Sequence, residues 1–113
     1  MIILDATTKS LELTLGGAPA TTQLPFVLAY VDRLTSDQSV SAVGSTDGVT
    51  NSGTAVTVLA APAAGHTRQV TALTVPNVDT AVATVTLQYN NAGTVRRIAK
   101  VALDVGDNWI YED

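Results

Sequence analysis

The chain has no cysteine, one histidine, five aromatic residues and little charge. Without cysteine, disulfides and thiolate metal sites are excluded, and the redox compartment stays open. A single imidazole, His66, supplies neither the base and orienting group of a nucleophilic triad nor the several ligands of a His-rich metal centre. It reads as a solvated turn residue. Charged residues make up 14% of the sequence, well under the ~25% of ordinary soluble domains. The net charge is −4 and the only basic doublet is Arg96-Arg97, so the electrostatic footprint of a nucleic-acid binder is missing. No apolar run approaches the ~20 residues of a membrane span. Met1-Ile2-Ile3-Leu4 meets Asp5 too soon to form the apolar core of a signal peptide. The expectation is a soluble protein made in the cytoplasm, without cofactor, nucleic-acid partner or membrane partner.

What is present is apolar and small. Hydrophobic residues reach 46%, mostly Ala, Val and Leu, in a chain of 113 residues that supports one core. A surface so poor in charge suits a protein partly covered by neighbours.

The clearest local signal is a hairpin near the C-terminal end. Ala83, Val85, Leu87 and Tyr89 alternate with Thr84, Thr86 and Gln88, the period of a half-buried strand. Asn90-Asn91-Ala92-Gly93 provides residues that tolerate positive φ and reverse the chain. Thr94 to Leu103 returns, with Val95, Ala99, Val101 and Leu103 expected on one face and Arg96, Ile98, Lys100 and Ala102 on the other.

Other segments repeat the strand pattern. Leu11, Leu13 and Leu15 alternate until Gly16-Gly17 stops them, too early for a helix. Pro25 to Asp32 is apolar on both faces, which predicts a strand buried on both sides or covered by another subunit. Ser39 to Val43 reads as a short strand, and Gly44 to Gly53, rich in Gly, Ser, Thr and Asn, as an exposed loop. Thr54–Ala60, Arg68–Val75 and Asn108–Tyr111 complete the set. Short strands joined by turns, with no helix between them, predict an all-β fold: an antiparallel β-sandwich or jelly-roll-like barrel. Residues 1–24 are expected to form an N-terminal edge strand or extended arm and a loop, and residues 25–113 the sandwich domain.

Few residues carry chemistry. Asp104, Asp107 and Asn108 cluster, as do Asp32 with Asp37 and Asp47 with Asn51, and hard cations take oxygen ligands from such groups. None has the alternating calcium loop, and Asp and Asn are ordinary turn residues. Nor do Asp104 and Asp107 come with the cleft that paired catalytic carboxylates require. Candidate interface residues are Ile2, Ile3 and Leu4 at the apolar tip, Phe26 and Tyr30 in the doubly apolar strand, Arg96 and Arg97 as guanidinium donors, and Trp109 and Tyr111 as aromatic anchors.

Several stretches resemble the small virion structural proteins of tailed bacteriophages, encoded among head and neck genes. They are Met1 through Glu12, Gln23-Leu24-Pro25-Phe26, Arg68-Gln69-Val70 through Thr80, and Gly93 through Asp107. The resemblance implies a non-enzymatic all-β protein that assembles on the particle, of the head decoration (cement) type. Its partners would be the major capsid protein or other virion proteins, and its own copies in a homo-oligomer, a trimer being favoured by the threefold axes of shells. A neck, tail or fibre-attachment component is the nearest alternative. A carbohydrate- or cell-surface-binding β-sandwich module is the alternative from another class.

Overall fold

The computed structural model describes all 113 residues. Nine strands follow one another without a helix: β1 (Ile2–Leu4), β2 (Lys9–Leu15), β3 (Pro25–Leu34), β4 (Val40–Val49), β5 (Val56–Leu59), β6 (His66–Pro76), β7 (Ala83–Asn91), β8 (Thr94–Leu103) and β9 (Asn108–Glu112). They form two antiparallel sheets. Sheet A runs β1–β6–β3–β4, and β9 also lies along β6. β1 pairs with Arg68–Val70 and β9 with Ala72–Pro76, so the two share one edge of β6 end to end. Sheet B runs β5–β2–β7–β8. Both sheets keep open edges, so the fold is a sandwich and not a closed barrel.

The core is what the alternating patterns demand. Leu11, Leu13 and Leu15 of β2 meet Leu28 of β3, Val70, Leu73 and Val75 of β6, and Val85 and Leu87 of β7 in one cluster of 17 buried residues. Each fully buried Leu or Val of this kind stabilises the fold by roughly 1.5–3 kcal/mol relative to exposure.

Residues 1–24 do not form a free arm. Ile2 and Leu4 are buried in the core, and β2 is an inner strand of sheet B between β5 and β7. The boundary expected at residue 24 therefore divides nothing, since Leu24 and Phe26 on its two sides enter the same cluster. An apolar tip three residues long cannot be told from an arm by its own pattern. It is buried because the Arg68–Val70 part of β6 offers an open edge at the right place.

Gly44 to Val49 is strand, not loop. Gly44 lies opposite Tyr30 and Gly48 opposite Phe26 in the β3–β4 ladder. A Cβ on Gly44 would stand 2.8 Å from the Tyr30 hydroxyl, and one on Gly48 would stand 3.0 Å from the Phe26 ring. Both rings thus lie across glycines of the neighbouring strand and supply the cover that glycine itself lacks.

The β7–β8 hairpin turns through Ala92 and Gly93, with φ of 52° and 92°, the positive values a two-residue hairpin loop requires. One expectation about its faces changes. The ladder slips between Leu87 and Gln88, leaving Ile98 as an extra residue in β8. Beyond this bulge the parity reverses: Arg96 faces Tyr89, while Val95 faces Asn90 on the outer side.

One end of the sandwich is organised by two buried polar residues, Asn77 and Asp79. The Asn77 amide donates to the carbonyls of Ala81 (3.0 Å), Leu103 (2.9 Å) and Asp104 (3.3 Å), and its Oδ1 accepts the Asp79 N–H at 2.9 Å. Asp79 in turn accepts the backbone N–H groups of Ala20, Thr21 and Thr22 at 2.8, 2.8 and 3.1 Å. Three loops distant in sequence are tied together there.

Candidate interaction surface

The two outer faces of the sandwich differ in kind. Outward residues of sheet B are mostly polar, Val95 at the turn end being an exception: Thr57 and Glu12 pair across β5–β2, Thr14 faces Thr86, and Gln88 and Lys100 continue the pattern on β7 and β8. Glu12 accepts the side-chain amides of Gln88 (3.0 Å) and Asn90 (3.1 Å). This is the usual apolar-in, polar-out alternation of an antiparallel sheet.

Sheet A breaks that rule. Its ladders place Ile110, Thr74, Val27 and Asp47 in one outward row, Glu112, Ala72, Ala29 and Ser45 in the next, and Ile3, Gln69, Val31 and Val43 in a third. Val27 is 57% exposed, Ile110 57%, Val43 74% and Val49 55%. No element of the chain packs on this side, because all nine strands belong to the two sheets. The only cation on it, Arg33, lies at the hairpin end with its guanidinium on the Gln38 carbonyl, 2.9 Å away. Asp47 and Glu112 give the face a weak negative sign.

The candidate interface residues divide. Ile2, Leu4 and Phe26 belong to the core and are covered by the chain's own residues. Tyr30 is half-buried over Gly44, with the Arg68 guanidinium 5.0 Å from its ring centre. Trp109 and Tyr111 pack partly buried against the core, opposite Val75 and Leu73. The Tyr111 hydroxyl is buried without a hydrogen-bond partner, and burial together with the nearby Asp113 charge raises its pKa. Ile3 stands on the open face. Arg96 and Arg97 are exposed and, with Lys100, form no ion pair, whereas Lys9 pairs with Asp5 and Arg68 with Asp32. The doubly apolar pattern of β3 carried the signal for the open face, since its buried residues alternate with Val27. Val43 and Val49 gave no such signal, because β4 is short of apolar neighbours.

His66 is not a loose turn residue. Its Nδ1 lies 2.6 Å from Asp32 Oδ1, the same oxygen to which Ser41 Oγ donates at 2.7 Å, while Arg68 Nε donates to Oδ2 at 3.3 Å. Serine, histidine and aspartate thus meet, but without the geometry of a nucleophilic triad. There the hydroxyl and the carboxylate take opposite ring nitrogens, whereas Ser41 Oγ lies 3.4 Å from the Nδ1 that already faces Asp32. The cluster ties β3, β4 and β6 together at the hairpin end. No three His, Cys, Asp or Glu side chains converge as metal ligands. An open groove of about 420 Å³ runs between Leu15–Ala20 and Asp79–Thr84. Its one charged group is Asp79, already committed to backbone N–H donors.

Two of the buried carboxylates, Asp32 and Asp79, are held ionised. Burial works against the charge of Asp32, yet hydrogen bonds from Ser41, His66 and Arg68 outweigh it and lower the pKa. Burial likewise opposes the charge of Asp79, and the N–H groups of Thr21, Ala20 and Thr80 overcome it by a wide margin. A carboxyl with a depressed folded-state pKa stabilises fully above its unfolded pKa, near 3.9, and loses that contribution as pH falls through the folded value. The melting temperature is therefore expected to hold at mild acidity and to drop below about pH 4. Asp79→Asn should start lower and show a shallower acid slope. An identical acid slope in the variant, measured by circular dichroism melts, would remove Asp79 from this account.

Comparison with protein-family models, with curated proteins and with solved structures finds no match.

Proposed function

We propose that this chain is a non-enzymatic structural subunit of a tailed-bacteriophage virion, a decoration protein that binds the major capsid protein shell. The observation that carries the proposal is the open outer face of sheet A, where Val27, Val43, Val49 and Ile110 stand exposed, poor in cations and uncovered by the chain itself. Clustered exposed apolar side chains rimmed by polar ones mark docking surfaces on soluble proteins. Four strand rows spaced ~4.8 Å apart, over about eight residues of ~3.3 Å, make a face of roughly 500 Å². A stable pairwise interface needs about 800 Å² per partner. One copy bound through this face alone would be held weakly, and many copies on a repeating surface make such contacts effective. A shell is such a surface, and the sequence resemblance supplies the particle.

The double variant Val27→Lys/Ile110→Lys tests the proposal. Both positions are exposed, so folding stability should change by less than about 0.5 kcal/mol per site. The folded variant is expected to lose binding to particles that lack the protein, while the wild-type chain binds. Equal binding of the two would remove this face from the function.

A further inference from the structure

The open edges of the two sheets are not alike. β1 and β9, sharing one edge, are three and five residues long. β5 has four residues, and its Val58 carbonyl accepts the Thr46 hydroxyl at 2.6 Å. β8 is ten residues long but carries Arg96, Arg97 and Lys100 and the bulge at Ile98. Shortness, charge and bulges are the devices that stop an edge from pairing with another chain.

Apart from that Thr46 contact with β5, β4 has none of them along most of its length. It runs for ten residues, VSAVGSTDGV, with no Lys, Arg or Pro and a single charge, Asp47. Its one irregularity is where Ser41 is left unpaired between Val40 and Ala42, at the hairpin end, and Ala42 to Val49 is regular. Val40, Val43 and Val49 are exposed along it. Alternate residues of such an edge point N–H and C=O groups outward without a partner in the chain, a template for another strand.

We infer that the occupant is β4 of a second copy, paired antiparallel about a twofold axis at Ser45. Charge decides between the edges. In the Ser45-centred register Ser41 to Val49 overlaps fully with its mate, Ser45 meets Ser45, and Asp47 meets Val43, so no like charges face each other. β8 paired with itself would crowd Arg96, Arg97 and Lys100 of both copies onto one seam, and like charges opposite one another destabilise a ladder. A twofold axis perpendicular to the sheet keeps both outer faces on the same side. The dimer then presents a continuous, doubled apolar face, and the assembling unit is a pair, not the trimer expected from shell symmetry. This inference stands apart from the virion proposal and holds or fails in solution with purified protein.

Sedimentation equilibrium of the purified chain is expected to give twice the 11.7 kDa chain mass, with dissociation on dilution. Ser45→Cys, the only thiol in the molecule, should cross-link to a dimer under mild oxidation, while Val95→Cys on β8 stays single. Ser45→Lys places like charges face to face and should weaken the dimer roughly tenfold or more. Val43→Lys faces Asp47 of the mate and should leave it intact. Circular dichroism confirms that each variant is folded. A single-chain mass at every concentration, a trimer, or equal cross-linking of the two cysteine variants would overturn the pairing. Equal weakening by both lysines would overturn the register.

Discussion

Asn77→Ala is expected to lower the free energy of unfolding by about 2–4 kcal/mol, the largest loss foreseen for any polar side chain here. The side chain is 2% exposed and makes four hydrogen bonds, three donated to the Ala81, Leu103 and Asp104 carbonyls and one accepted from the Asp79 N–H. Alanine removes all four at once and leaves buried backbone groups without partners, which costs more than the bonds themselves contribute. The consequences spread because Asp79 is positioned by Asn77 and itself holds the loop after Gly17. Asn77→Asp should be nearly as damaging, since it keeps the acceptor oxygen but turns a donor toward three carbonyls into a second acceptor. Equilibrium urea unfolding with an unchanged denaturant slope measures the effect. A loss under about 0.5 kcal/mol for Asn77→Ala would mean that the three loops are held by other contacts.

Gly48→Val is expected to cost about 1–3 kcal/mol, an unusual result for an edge-strand position where valine has the better strand propensity. The first added carbon would stand 3.0 Å from Cε1 and Cζ of Phe26, and that ring is 3% exposed and set in the core. To make room, the Phe26 ring must shift within its packed place between the sheets. Phe26→Leu frees the space, so the two substitutions together should cost less than the sum of each alone. Additive effects in denaturant unfolding would show that the ring and the glycine do not compete for the same volume.

These same residues explain which parts of the architecture are legible in the sequence. Strand positions with alternating Leu, Val and Thr announce themselves, because the period of two is a local property of β2, β6, β7 and β8. The Gly44–Val49 segment does not, since the side chains that make it a strand are Tyr30, 14 residues before Gly44, and Phe26, 22 residues before Gly48. The N-terminal tip is equally silent, because its burial depends on the vacant half of an edge of β6. Reversal of the β8 face depends on one extra residue, Ile98, which composition cannot locate. His66 reads as a turn residue until the ladder brings Asp32 to it. The open face of sheet A was half visible: the doubly apolar run in β3 asks for cover on both sides, and the fold provides it on one. Which edges are protected is a question of topology, and no residue of β4 signals alone that its neighbour is solvent.

The measurement that bears most directly on the central claim is the ratio of this chain to the major capsid protein in purified particles, by quantitative mass spectrometry. A ratio of about one, or a simple fraction such as about one third or one half, is the result expected of a decoration protein arrayed on a symmetric shell. A ratio of roughly a hundredth would move the chain to a neck or tail ring of low symmetry. Absence of the chain from particles would contradict the virion assignment outright.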